Sequence, residues 1–165
     1  MRSLITYCMF LLFTATSAAS QTPESPKAGV AAIAAAQALL QAISTRDTAL
    51  ARRVMVPGAT LASISDPASP TTVPRIQSDT AFLNGLMARP NRLLERMWAP
   101  TAYVNGTIAL VYAPYDFHID GTFSHCGVDT FTLELAPQGW RVSHIAYTVQ
   151  RTGCAPSPLG PPTDR

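Results

Sequence analysis

Apolar and polar residues alternate through residues 93 to 151, which is the pattern of strands that bury one face. Three turn signals divide this region into four strands: Asn105-Gly106, Asp120-Gly121 and Pro137-Gln138-Gly139. An Asx-Gly pair favours a type I′ turn, in which both central residues need a positive φ and the twist suits antiparallel strands. The pattern therefore predicts an antiparallel meander.

The Asp120-Gly121 turn sets the register of the central hairpin. Side chains alternate with a period of two, so every second residue of each strand shares one face. We expect that face to be apolar at one end and ionisable at the other. A bulge near Pro100 or Pro114 would slip the register by one residue and reverse the faces. The expected pairs on this face are His118 with Phe123, Asp116 with His125, Tyr112 with Asp129 and Leu110 with Phe131.

The Asn105-Gly106 turn brings the preceding strand beside this hairpin. Counting back from the turn places Glu95 beside Asp116, which predicts a carboxylate pair next to His125. The same count places Met97 beside Pro114 and Tyr103 beside Ile108.

The last strand cannot alternate strictly. Trp140, Val142, Ile145 and Tyr147 cannot all lie on one face with a period of two, so we expect a bulge near Ser143 and His144. The final turn can be counted as two or three residues. The two counts place His144 on opposite faces of the sheet.

Helical patterns precede the strands. An alanine-rich run over residues 28 to 43 carries an apolar stripe that predicts a helix packed closely on a flat surface. Helices followed by an antiparallel meander give an α+β fold, in which about three helices cover the apolar face of the sheet. The other expected elements are a helix at 47 to 55, a strand at 59 to 65, a loop at 66 to 74 and a helix from Ser78 or Asp79 to Met87.

The N-terminus resembles an export signal. Arg2 is followed by an apolar run over residues 4 to 13 and by small residues up to Ser20. This segment, residues 1 to 20, is too short to span a bilayer. Cleavage near Ala19 or Ser20 leaves about 145 residues, enough for one domain. We expect a secreted or periplasmic protein with no other segment in a membrane.

Composition argues against several classes of function. The formal charge is +2 with a single lysine, and the arginines are scattered. Nucleic-acid binding needs clustered cations, so no nucleic-acid partner is expected. The three histidines follow no metal-ligand spacing, and no phosphate loop or dinucleotide fingerprint is present. The sequence predicts no metal and no cofactor.

Two cysteines follow the signal segment, Cys126 and Cys154. An oxidising compartment lets them pair, and the bridge would stabilise the fold by roughly 3 to 4 kcal/mol in the chain-entropy model. Two separate buried thiols are the alternative. Residues 155 to 165 contain four prolines, which predicts a disordered tail.

Three strings carry a family resemblance: residues 109 to 117 (ALVYAPYDF), residues 121 to 129 (GTFSHCGVD) and residues 139 to 142 (GWRV). With the order of elements, they resemble the nuclear transport factor 2-like superfamily, which includes SnoaL-like (polyketide cyclase-like) and ketosteroid isomerase-like members. The resemblance implies a cone-shaped curved sheet over residues 28 to 154, with a pocket between helices and sheet. The acids here do not match the ketosteroid isomerase-like motif, so no catalytic residue is carried over.

Candidate chemistry gathers on the predicted face. Asp129, opposite Tyr112 and among Leu110 and Phe131, would be desolvated, which raises a carboxyl pKa and suits acid or base work. A buried aspartate that only accepts a tyrosine hydrogen bond is the alternative. Asp116 and His125 form either a base with its orienting carboxylate or a structural ion pair. The candidate catalytic residues are Asp129, His125 and Asp116, and the candidate ligand contacts are Tyr112, Leu110, Phe131, Glu95 and Tyr147.

Three classes of function fit these expectations. The first is a domain that binds a small, largely apolar molecule in the cavity. The second is a cofactor-free lyase, isomerase or hydrolase that uses Asp129 or the Asp116/His125 pair. The third is an interaction module that forms a homodimer through an outer sheet face, expected to carry Val111, Ala113, Tyr115 and Phe117.

Overall fold

A computed structural model describes residues 26–65, 73–88 and 90–162 of the 165-residue chain. The expected signal segment lies outside the described residues. The three helices are α1 (Pro26–Thr45), α2 (Thr48–Val54) and α3 (Asp79–Ala88). The strands are β1 (Met55–Ser65), β2 (Arg75–Ser78), β3 (Leu93–Met97), β4 (Thr101–Asn105), β5 (Ile108–Ile119), β6 (Thr122–Ala136) and β7 (Gly139–Val149).

The sheet is mixed, curved and unclosed, with the order β2-β1-β7-β6-β5-β3, and β4 pairs with the half of β5 that β3 leaves free. All pairs are antiparallel except β1 with β7, which is parallel. The helices pack against its concave face and close a single apolar core there. This architecture confirms the α+β fold predicted from the sequence.

Helix α1 lies on the sheet through a narrow apolar stripe. Ala32, Ala36 and Leu39 are fully buried, and the small alanines let the helix approach the strands closely. Arg46 has a positive φ of 57° and ends the helix. Asp47 then accepts a hydrogen bond from the Leu50 amide (2.8 Å) and begins α2. Among the described helices, α1 is the one long and apolar enough, by length and composition, to cross a membrane.

The region expected to form one strand before the Asn105-Gly106 turn is broken. Ala99 has a positive φ of 44°, so the chain turns between β3 and β4, and both strands pair with β5. The two halves therefore have different registers. Glu95 lies opposite Phe117 rather than Asp116, Met97 lies opposite Tyr115 rather than Pro114, and Tyr103 lies opposite Leu110 rather than Ile108.

A bulge in β6 changes the register of the central hairpin. His118 pairs with Phe123 as predicted, but Ser124 has no partner in β5, and Phe117 pairs with His125. Every later pair is shifted by one residue, so the predicted pairings of Asp116, Tyr112 and Leu110 are wrong. The partners of His125, Asp129 and Phe131 are Phe117, Ala113 and Val111.

Because of this shift, the face of β5 that was predicted to lie outside packs on the core, and the face predicted to line the cavity lies outside. Val111, Ala113 and Tyr115 are fully buried, and Phe117 packs against the core, so the predicted dimer face is wrong. The outer face of β5 instead carries three exposed apolar side chains, namely Ile108, Leu110 and Tyr112.

The bulge predicted in β7 is confirmed. Thr132 pairs with His144 and Leu133 pairs with Val142, which leaves Ser143 as the extra residue. Trp140, Val142 and Ile145 are buried, and Tyr147 packs against the same cluster.

The C-terminal segment is tied to the sheet. Cys126 and Cys154 form a disulfide, with a Cα–Cα distance of 6.2 Å. Arg96 Nη1 donates a hydrogen bond to the Gly160 carbonyl (3.0 Å). Residues 155 to 162 therefore lie beside the outer face of the sheet, which differs from the disordered tail expected from proline content. The disulfide and the Arg96 hydrogen bond hold the segment in this position.

Gly127 provides a test of the packing between β6 and β7. A Cβ at this position would lie 2.1 Å from the Thr148 carbonyl oxygen, a backbone atom that cannot move without disturbing the sheet. We expect Gly127→Ala to lower the free energy of unfolding by about 3 kcal/mol. Gly85, in α3, has nothing within 4 Å of an added Cβ. The control Gly85→Ala should stabilise by about 0.5 to 1 kcal/mol. Urea titration measures both, and equal effects would contradict this packing.

Candidate functional site

A cavity of about 510 Å³ lies between the concave face of the sheet and helices α1 and α3. Its wall is mostly apolar, and two carboxyl groups, an imidazole and a tyrosine interrupt it. The opening carries polar and cationic side chains, including Ser65, Gln77, Arg75 and Arg151. The apolar wall consists of Leu40, Ile43, Leu61, Phe82, Leu86, Leu93, Phe117, Ile119, Phe131, Ile145 and Val149.

The two carboxyl groups in the wall belong to Glu95 and Asp129. Glu95 is on β3, and its backbone amide donates a hydrogen bond to the Ser44 hydroxyl oxygen (3.0 Å). Asp129 is on β6, between Ala113 of β5 and Tyr147 of β7, and only 1% of its surface is exposed. Its Oδ2 atom has no hydrogen-bond partner among the described residues. A buried polar atom without a partner is uncommon and destabilising.

Burial raises the pKa of both carboxyl groups. It raises the pKa of Glu95 from 4.5 to about 8, because the charged form loses its hydration. It also raises the pKa of Asp129 well above its ordinary value, and the nearby Glu95 carboxylate raises it further. Two interacting groups titrate as a pair. At neutral pH the pair therefore retains protons and can donate a hydrogen bond.

The tyrosines near the pair have partners of their own. The Tyr115 hydroxyl donates a hydrogen bond to the Thr148 carbonyl at 2.7 Å. Burial raises the pKa of Tyr115, and the Asp129 carboxylate adds to that effect. Burial also raises the pKa of Tyr147, which shares a hydrogen bond with Ser63. Both phenols are thus neutral.

His125 lines the same cavity as a neutral ring. It stacks on Phe117, with ring centroids 5.0 Å apart, and meets the edge of Tyr115 at 5.7 Å. Burial, and to a smaller extent the nearby Arg151 guanidinium, lowers the pKa of His125 to about 4. Its Nδ1 atom lies 3.0 Å from the Ser124 hydroxyl. Ser124, the bulge residue, therefore also orients the imidazole.

The structure brings five of the predicted site residues into this cavity and leaves three outside. Asp116, Tyr112 and Leu110 lie on the outer face, because the Ser124 bulge reverses the relation between β5 and β6. The cavity is also lined by three residues that were not predicted as site residues, Ser63, Arg75 and Phe117. Ser63 and Arg75 carry no local signal, since they enter through the pairing of β1 with β2. The residues found in the cavity as predicted are Asp129, His125, Glu95, Phe131 and Tyr147.

Asp116 belongs to an outer ion pair. Arg96 Nε lies 2.9 Å from Asp116 Oδ1, and Arg96 Nη2 lies 2.5 Å from Oδ2. Burial acts to raise the pKa of Asp116, but the hydrogen-bonded Arg96 guanidinium and the nearby His118 ring outweigh it, and the pKa falls below its ordinary value. Asp116 and His125 therefore do not form a base and its orienting group. The alternative, a structural ion pair of Asp116 with His125, is also wrong, because the ion-pair partner of Asp116 is Arg96.

The remaining histidines lie outside the cavity. His144 Nδ1 lies 2.7 Å from the Thr60 hydroxyl, and His118 is buried near Asp116 on the outer side. Among residues 26–65, 73–88 and 90–162, no group of three or more His, Cys, Asp or Glu side chains is placed to hold a metal ion.

Comparison with known proteins identifies the fold. No protein-family model and no curated protein matches the chain. Solved structures do match. A nuclear transport factor 2-like superfamily protein from Salmonella enterica superposes with a TM-score of 0.56 at 16% identity, covering 74% of this chain and 90% of that one. An NTF2-like protein from Cytophaga hutchinsonii gives 0.57 at 12%, covering 71% and 93%.

A protein of unknown function with a cystatin-like fold, from Nostoc punctiforme, gives a TM-score of 0.58 at 10% identity, covering 79% of this chain and 93% of that one. The chain therefore has the nuclear transport factor 2-like fold, as the resemblance implied. At these identities the likeness concerns the fold alone, and function has to be argued from the cavity.

The carboxyl pair predicts a pH-dependent stability. The folded-state pKa of Glu95 lies above its unfolded value, so its stabilising contribution is complete below about pH 4.5 and is lost as pH rises through about 8. His125 acts oppositely, because its depressed pKa removes stability as pH falls from 6.5 towards 4. Between pH 6.5 and 8, above the ordinary pKa of histidine, the carboxyl pair sets the slope. We expect the free energy of unfolding to fall there by roughly 2 kcal/mol for Glu95, with Asp129 adding to the fall.

Chemical denaturation across this range measures the effect. The double variant Glu95→Gln/Asp129→Asn keeps the shapes and should remove the slope. Glu134→Gln changes an exposed carboxylate on the same strand as Asp129 and should keep the wild-type slope. A flat wild-type profile between pH 6.5 and 8 would show that the pair is ionised in the folded protein.

Proposed function

We propose that this chain is an exported domain that binds a small, largely apolar molecule in the cavity of its cone. The observation that carries the proposal is the pairing of half-buried Glu95 with buried Asp129 in a mostly apolar cavity, with Asp129 Oδ2 lacking a partner among the described residues. A ligand with a hydrogen-bond acceptor would supply that partner. The molecule would be neutral at its inner end, because burying a further charge beside the pair is unfavourable.

The size and polarity of the cavity support this proposal. Small-molecule sites commonly have volumes of about 300 to 1,000 Å³, mostly apolar walls and a few polar groups that orient the ligand. The cavity falls in this range. A carbonyl oxygen could accept a hydrogen bond from the protonated pair, while the apolar body would contact Phe117 and Phe131. The arginines at the opening would favour a polar outer end.

Export is supported by two features of the chain. The N-terminal apolar segment follows Arg2 in the manner of a signal peptide, and the Cys126–Cys154 bridge is typical of oxidising compartments. A secreted or periplasmic location is therefore part of the proposal.

A second candidate function is cofactor-free acid-base catalysis in the same cavity. The observation in its favour is the pKa of Glu95, which burial brings to about 8, close to neutral pH. General acids and bases are most effective when their pKa lies near the working pH. Glu95 would exchange a proton with a bound substrate, and protonated Asp129 would hold the developing oxyanion. Lyase or isomerase chemistry at a carbon beside a carbonyl fits these roles.

The interaction-module alternative would have to use another face than predicted. Ile108, Leu110 and Tyr112 are 53%, 42% and 44% exposed, and they form an apolar strip on β5. A homodimer through this strip would leave the cavity free, so it is compatible with ligand binding.

Paired probes test the ligand proposal. We expect 2-acetonaphthone to bind about 3- to 10-fold more tightly than 2-ethylnaphthalene below pH 7, because only the ketone accepts a hydrogen bond from the pair. This preference should disappear above about pH 8, where Glu95 ionises. Isothermal titration calorimetry measures both affinities.

The variants separate the hydrogen bond from the apolar contact. Glu95→Gln should make the ketone preference independent of pH between 6 and 9, while Glu134→Gln should behave as wild type. Equal affinity for the two probes at every pH would contradict a role for the carboxyl pair. Absence of binding by both probes would contradict the apolar-ligand proposal itself.

A further inference from the structure

A second cavity, of about 400 Å³, lies on the outer side of the sheet. Its sheet side consists of Arg96, Trp98, Asp116, His118 and Phe123, and its other side is the C-terminal segment from Cys154 to Pro162. We call it the outer cavity. None of its lining residues lines the cavity that holds Glu95 and Asp129.

Two tethers hold the C-terminal segment over the outer cavity. The disulfide joins Cys154 to Cys126 of β6, and Arg96 donates a hydrogen bond to the Gly160 carbonyl. Between these points Gly160 N donates to the Ser157 carbonyl (3.1 Å), which makes a turn. The segment therefore forms one wall of a partly open pocket.

His118 is the unsatisfied group in the outer cavity. Only 5% of its surface is exposed, and neither ring nitrogen has a hydrogen-bond partner among the described residues. Nε2 lies 3.4 Å from Asp116 Oδ2, within ion-pair range but without hydrogen-bond geometry. Arg96 already binds both Asp116 oxygens. A buried imidazole that faces a cavity without a partner indicates a missing ligand group.

The walls define the chemistry of that ligand. The charges of Arg96 and Asp116 neutralise each other, so the outer cavity does not select an ion. Trp98, the Phe123 ring and prolines 156, 161 and 162 present flat apolar surfaces. Phe123 meets His118 edge-on, with ring centroids 5.7 Å apart. A flat ring beside these side chains would place its substituent near the imidazole.

We propose that the outer cavity binds a neutral aromatic alcohol, with its ring against Trp98 and Phe123 and its hydroxyl group on His118. A hydroxyl both donates and accepts hydrogen bonds, so it satisfies the imidazole in either tautomer. This site is independent of the ligand proposed for the inner cavity. It lies on the opposite side of the sheet and uses different residues.

The three histidines of the chain report on three places at once. His118 lines the outer cavity, His125 lines the inner cavity, and His144 bonds Thr60 away from both. The probe is p-cresol, and toluene is the matched molecule without the hydroxyl. In ¹⁵N-histidine NMR of the intact disulfide-bonded protein, p-cresol should shift the His118 signals in a saturable way. His144 should not respond, and toluene should bind about 3- to 10-fold more weakly.

Substitutions test each contact. Trp98→Leu should weaken p-cresol binding about 3- to 10-fold, because it removes an aromatic wall. Tyr103→Leu alters an exposed aromatic residue on the same side of the sheet outside the cavity, and should change nothing. In His118→Phe, monitored by calorimetry, p-cresol and toluene should bind equally. A protein that was only destabilised would bind both molecules more weakly and would still prefer p-cresol to toluene.

Several outcomes would overturn the proposal. If p-cresol shifts His125 and leaves His118 unchanged, the phenol occupies the inner cavity instead. If His118 does not respond up to the solubility limit of p-cresol, or responds equally to toluene, the imidazole is not a hydroxyl site. Because His125 reports separately on the inner cavity, failure here is distinguishable from failure of the ligand proposed there.

Discussion

The site depends on one extra residue in β6. Side chains of a strand alternate between two faces, so the unpaired Ser124 decides which residues of β5 lie beside His125 and Asp129. With the bulge, Tyr115 and Phe117 share the concave face with both of them. Ser143 is the corresponding extra residue of β7. It keeps four side chains on the core side, namely Trp140, Val142, Ile145 and Tyr147. Bulges also increase local twist, which suits a sheet that curves around a cavity.

The curved sheet brings two carboxyl groups together in its cavity, and no described residue offers them a cationic partner there. Glu95 and Asp129 lie in a cavity whose wall is mostly apolar, so each disfavours the ionisation of the other and burial disfavours both. The neighbouring phenols do not help, since Tyr115 donates to Thr148 and Tyr147 shares a bond with Ser63. The pair is left with protons and with an Asp129 Oδ2 atom that has no hydrogen-bond partner among the described residues. A ligand is the natural partner for such a group.

Much of the fold was predictable because local signals were consistent. The Asp120-Gly121 turn, the three helices and the disulfide each follow from residues close together or from simple pairing of cysteines. The first hairpin differs by one residue, because its turn lies at Gly106 and Thr107 and Asn105 pairs with Ile108 in the ladder. The β7 bulge was predictable, because strict alternation would have placed His144 instead of Ile145 on the core face. The β6 bulge was not, because β5 carries apolar side chains on both faces: Leu110 and Tyr112 on one, Val111 and Tyr115 on the other. Either register buries an apolar set, so the pattern does not choose between them.

The same ambiguity explains the site predictions. Asp129, His125 and Phe131 were placed together correctly because they belong to one strand after the bulge, whereas Asp116, Tyr112 and Leu110 depended on the register between strands. Glu95 reached the cavity with a different neighbour, because the turn at Ala99 shifts β3 by one residue. β2 has four residues and follows a proline-rich segment, so Arg75 had no periodic signal.

The most direct test of this account is a titration of the two carboxyl groups in the folded wild-type protein, followed by the ¹³C shifts of the Glu95 and Asp129 carboxyl carbons. The account predicts that Glu95 titrates near pH 8 and that Asp129 retains its proton well above its ordinary pKa of 3.8. Coupled curves for the two carbons would be expected. If instead both carbons titrate independently near pH 4, the pair is solvated and ionised at neutral pH, and the proposed site is contradicted.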